Sequence, residues 1–166
     1  ADTAATIAAR EATRPALLDW LERLTAGASS LEDARVEFDQ RTRTEWVTWG
    51  LKGASGAMFL NMLGKHLSRH DEVTAALLTA LQPPPADADA AAARIHDFMA
   101  FIEGRIAEGD AARAQVTPNR APFFLSSWWN IQDPDVPVYW RSALGALGED
   151  GLHTRVQDRS TDYATL

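Results

Sequence analysis

Ile95, Phe98, Met99, Ile102 and Ile106 recur at the i, i+3, i+4, i+7 spacing that places them on one face of a helix. The same period runs through most of the chain. Leu17, Leu18, Leu21 and Leu24 follow it beside Trp20, and so do Phe59, Met62, Leu63, His66 and Leu67. Val73, Ala76, Leu77, Leu78 and Leu81 continue the series. No stretch alternates apolar and polar residues with period two over a convincing length. The one short candidate, Val136–Trp140, is limited by Pro134 and Pro137. The pattern predicts an all-α chain: a single compact domain of seven or eight helices over residues 1–148, with a flexible linker or tail over 149–166.

The breaks between these segments are equally informative. Pro15 fits the first turn of a new helix behind an alanine-rich one at 4–12. Gly27 ends that helix, and Ser29 or Ser30 caps the next, with Glu32 or Asp33 in its first turn. Leu31 to Trp49 is compatible with a helix that Arg41–Thr44 interrupts. Asp71 and Glu72 open a further helix, which Gln82-Pro83-Pro84-Pro85 stops, and Gly109 ends the one after it.

Composition bounds the function. At 166 residues the chain carries one domain with a real core, and 46% hydrophobic with 23% charged residues is the balance of a soluble globular protein. No apolar run approaches the roughly 18–20 residues needed to span a bilayer. Ala1–Ala4 lacks the basic and apolar regions of a signal peptide, and the chain has no cysteine, which excludes disulfides and thiolate metal sites. A cytoplasmic setting fits. The net charge of −7 argues against nucleic-acid binding by bulk electrostatics. Yet between Arg41 and His70 five bases, Arg41, Arg43, Lys52, Lys65 and Arg69, face the single acid Glu45. This is a basic island in an acidic chain, or simply a solvated helix face.

The island contains a loop, Gly50-Leu-Lys-Gly-Ala-Ser-Gly, with three glycines in seven residues ahead of an apolar helix. Ser55 is placed to cap that helix, and loop amides with Lys52 and Gly53 form a plausible seat for one phosphate. The order is not that of a Walker A loop, since Lys52 precedes the last glycine, and no strand leads into it. His66 and His70 stand four apart, the spacing of two metal ligands on one helix face. Leu67 occupies the place where a zincin needs glutamate, so a half-buried histidine is the simpler account and no metal or cofactor is expected. Covalent catalysis has no cysteine, no Gly-x-Ser-x-Gly elbow and no serine with an evident histidine partner. The chain is therefore not expected to be an enzyme.

A second block, Arg120 to Ala143, holds six aromatics between Phe123 and Trp140. Phe124, Trp128 and Ile131 share one helical face and suit a core. Trp129, Tyr139 and Trp140 are placed to form a stacking surface or a partner pocket.

Trp49-Gly-Leu-Lys-Gly-Ala-Ser-Gly-Ala-Met-Phe-Leu-Asn-Met-Leu, followed by Phe124-Leu-Ser-Ser-Trp-Trp-Asn-Ile-Gln-Asp-Pro-Asp-Val-Pro-Val-Tyr, resembles the region ahead of the AAA+ motor in McrB-like restriction proteins. The similarity covers roughly residues 17–147. It implies the N-terminal module of a bacterial defence machine, which recognises DNA, modified DNA included, or docks a partner, while other domains hydrolyse nucleotide and cut. Two readings follow. In one, Arg41, Arg43, Lys52, Gly53, Ser55, Lys65 and Arg69 meet DNA phosphates. In the other, exposed aromatics near Trp140 bind further subunits or domains of a larger assembly and no nucleic acid is touched.

Overall fold

The computed structural model describes residues 3–138. Among these, six helices of ten residues or more carry the fold: α1 (Ala4–Thr25), α2 (Leu31–Thr42), α3 (Ala57–His66), α4 (His70–Leu81), α5 (Ala88–Ala107) and α7 (Ala121–Gln132). The element α6 (Arg113–Val116) is a single turn, and 3-10 turns stand at Val47–Trp49 and Pro118–Arg120. The all-α expectation is met, with six substantial helices in place of seven or eight. No strand forms among the described residues, and Val136 instead closes a turn onto the Asp133 carbonyl.

The expected break at Pro15 does not occur. α1 runs unbroken through it for 22 residues, roughly 33 Å. Pro15 is exposed, so the carbonyl that loses its partner there lies on the solvent side. Thr3 caps α1, Ser30 caps α2 and Asp87 caps α5, each accepting a backbone N–H three residues on. α3 and α4 are not one helix. Leu67 leaves α3 in extended backbone, and Arg69, at φ 52, turns the chain into α4. His66 and His70 consequently sit at the end of one helix and the start of the next, away from the two-ligand arrangement their spacing suggested.

α7 is the centre of the molecule. Nine of its twelve residues are buried, as expected for a helix that is apolar on all sides. It packs on α1, α4 and α5. Trp128 stacks on Trp20 of α1 with centroids 5.0 Å apart and lies 5.8 Å from Phe38 of α2; Phe124 meets Phe59 of α3 at 5.3 Å. Such pairs stabilise beyond the area they bury, each by about 1 kcal/mol. α7 also satisfies the end of α4, whose last carbonyls would otherwise be buried without donors. The Trp129 indole donates to Ala80 at 2.9 Å, and Gln132 donates to Leu81 at 2.7 Å. Arg94 of α5 adds bonds to Ala80 and Pro83. The proline run thus ends α4 at a point the core has already sealed.

Candidate functional site

The glycine loop folds onto itself. Gly50, at φ 69, closes the Val47–Trp49 turn, a left-handed geometry that glycine takes without strain. Leu51 then drops into the core. Its carbonyl accepts the Ala57 N–H at 2.6 Å, and the Gly53 carbonyl accepts from Gly56 at 3.0 Å and Met58 at 3.2 Å. The amides at the start of α3, which the sequence reading points toward an anion, are largely spent inside the loop. Gly56, with no side-chain cap, begins the helix, so Ser55 does not cap it. Lys52 and Gly53 remain exposed at the tip, and Ser55 is half-buried.

The five cations do not converge. Arg35 of α2 donates to Asn61 of α3 at 3.2 Å and lies against Gly64, while Asn61 donates to Asp39 at 3.1 Å, which sets the two helices antiparallel. Arg41, Arg43 and the loop stand at one end of the pair, and Lys65 and Arg69 at the other, roughly 15 Å away along α3. Three of the five are engaged. Arg41 holds Glu37 at 2.8 Å, reaches Glu45, and sits 4.1 Å over the Trp46 ring. Arg43 holds Asp39 at 3.3 Å, and Arg69 holds Glu108 at 2.6 Å and Glu72 at 3.2 Å. Lys52 and Lys65 are exposed and form no ion pair among the described residues. The sequence window missed these acids because four of them, Glu37, Asp39, Glu72 and Glu108, lie outside it and arrive by helix geometry or by folding.

Of the three aromatics expected at a surface, Trp129 is fully buried and bonded to Ala80, so it belongs to the core. Tyr139 and Trp140 lie outside the described residues, as does the 149–166 segment. The exposed-aromatic role falls away for Trp129 because α7 is enclosed on every side.

Two polar arrangements emerge that residue spacing did not announce. Arg23 of α1 grips Glu37 of α2 in a two-pronged contact at 2.8 and 2.7 Å and holds Asp19 at 2.9 Å. The Arg23 bond, ahead of that from Arg41, keeps the Glu37 carboxyl below its ordinary range. At the α3–α4 joint, the nearly buried Arg105 donates to the Ser68 carbonyl and to Asp110, both at 2.9 Å, and to Glu72 at 3.1 Å. Asp110 in turn accepts from the Ser68 hydroxyl at 2.6 Å and its amide at 3.0 Å. The Ser68 hydroxyl is the first cause holding the Asp110 carboxyl below its usual value, with its amide and Arg105 adding to it. This joint latches the left-handed Arg69 turn to the end of α5.

The acidic charge has a distinct location. Over residues 70–107 six acids stand against Arg94 and Arg105, a net −4 of the chain's −7, with Glu72 and Glu103 paired to Arg69 and Arg113 from outside that stretch. α4 and α5 form an antiparallel hairpin there, with Ala80 beside Arg94 at one end and Glu72 beside Arg105 at the other. Between them runs a groove of about 350 Å³ floored by Ala76, Ala80 and Phe98, with Asp97 on its wall. Among the described residues no group of histidines and carboxylates is arranged to hold a metal ion, and no helix is long and apolar enough to cross a membrane. No protein-family profile, curated protein or solved structure matches the chain.

Proposed function

We propose that the chain is a non-catalytic helical module that works by binding another protein. The observation carrying this reading is the placement of charge: the basic island is dispersed over two ends of the α2–α3 pair and largely neutralised, while the α4–α5 hairpin over residues 70–107 carries a net −4. A surface of that sign repels nucleic acid and steers a cationic partner. The segments that resemble McrB-like proteins are largely core in this molecule, with Leu51, Phe59, Leu60, Leu63, Phe124 and Trp128 all buried. Within that resemblance the module is the partner-docking part of a larger assembly. A second reading, one DNA phosphate held at the loop tip, keeps the support of Lys52, which is exposed there and forms no ion pair among the described residues.

A mobility-shift series separates the two. Duplexes with and without modified cytosine are expected to give no complex at about 50 mM salt. A complex whose affinity falls with a log–log slope of about −0.9 per phosphate contact overturns the protein-binding reading. A second copy of the chain would meet like charge at the hairpin, so light scattering is expected to give an 18.2 kDa monomer at low salt.

A further inference from the structure

Helix α4 presents Ala75, Ala76, Thr79 and Ala80 toward α5, and these small side chains leave a valley between the two backbones. The opposite wall runs from Arg94 to Phe101, eight residues of α5 that cover roughly 10 Å. That length admits two side chains one helical turn apart, which is how an amphipathic helix enters a groove. Arg94 is turned onto the Ala80 and Pro83 carbonyls. The carboxylate on the wall is Asp97, and Asp71 stands one turn before Ala75, both exposed. The groove therefore combines an apolar floor with two exposed carboxylates, Asp97 on its wall and Asp71 beyond its end, within a hairpin that carries a net −4 over residues 70–107.

We propose that the α4–α5 groove docks a basic amphipathic helix of a partner protein. The proposal rests on the protein-binding reading above and names its site and partner chemistry. Two apolar side chains of the incoming helix, at i and i+4, occupy the valley beside Phe101, and its lysines or arginines face Asp97 and Asp71. A neutral or acidic helix meets the same floor without the attraction, so charge sets the choice of partner and its rate of association.

The probe is a synthetic helical peptide of about 14 residues, with leucine one turn apart on one face and lysine on the other. It is titrated into the isotope-labelled chain at about 50 mM salt. Amide shifts are expected to gather at residues 75–80 and 97–101. Asp97→Lys and Thr79→Trp each change an exposed position and should keep the helical circular dichroism while weakening binding at least about tenfold. A peptide of equal charge with both leucines changed to alanine should also bind at least about tenfold more weakly. No shifts, equal binding by the alanine peptide, or unchanged binding in both variants overturns the proposal. Shifts gathered on another face also end the groove assignment while leaving the protein-binding reading in place, which falls instead with the DNA series.

Discussion

Gly56 decides whether the loop between the Val47–Trp49 turn and α3 closes at all. A Cβ there would stand 2.8 Å from the Leu51 Cα and closer still to its carbonyl, which is backbone and has nowhere to go. Gly53, three residues earlier in the same loop, meets nothing within 4 Å. Gly56→Ala is expected to destabilise by about 3 kcal/mol, and Gly53→Ala by less than about 0.5 kcal/mol, read as the shift in the urea midpoint. Equal midpoints would show that the loop breathes enough to take a methyl group. Gly64 differs again, because its added methyl group would press on the Arg35 side chain, which can swing aside. The three substitutions look alike in the sequence. What separates them is the identity of the neighbouring atom, and that depends on how Leu51 and Arg35 are placed in the folded chain.

At the level of elements, helix ends are where distant parts of the chain bind one another. Arg14 of α1 donates to the Asn130 carbonyl at 3.1 Å and also to Ile131, and lies 5.1 Å over the Trp49 ring. It neutralises the negative end of α7 while fastening the turn before the glycine loop. Arg14→Ala is expected to cost about 1–2 kcal/mol in thermal or urea unfolding. The Ser68–Asp110–Arg105 latch gives a pH signature. The Asp110 carboxyl titrates in the folded state below its ordinary 3.8, so its contribution is complete above that value and fades as pH falls through the lower folded one. Asp110→Asn should therefore lose about 2 kcal/mol at pH 7, and the gap from the parent chain should narrow as pH drops below about 4. A gap that is constant with pH would mean the carboxylate charge does not matter there. Much at this scale was legible: α5 from its apolar spacing, its stop at Gly109, and the end of α4 from three prolines. So was the break before α4, from Asp71 and Glu72 in its first turn; the unbroken α1 and the Gly56 start were not, because each is set by packing that overrides a local preference. The charge pairs escaped for the same reason, since Arg23 and Glu37 or Arg69 and Glu108 meet only across helices.

Among the described residues, all six long helices contribute to one core. Trp128→Ala is expected to destabilise by about 4 kcal/mol and to do so without uncoupling any part. Tryptophan fluorescence and far-ultraviolet dichroism should then report one coincident urea transition for both proteins. Two separated transitions would instead mark α4–α5 as an independent unit. The all-α class was readable because periodicity survives any arrangement of helices. The position of α7 was not, because an apolar helix declares that it is buried but not what surrounds it. The surface was the least legible, as net charge per window says little until folding assigns acids to bases. The Trp20–Trp128 stack carries a last implication, for synthesis on the ribosome. Its partners are separated by 108 positions in the chain, so the faces of α1, α4 and α5 that pack on α7 leave the exit tunnel well before their partner does. The interior that Trp20 shares with Trp128 therefore closes only once α7 has emerged, so the last helix of the described fold is also the one that completes it.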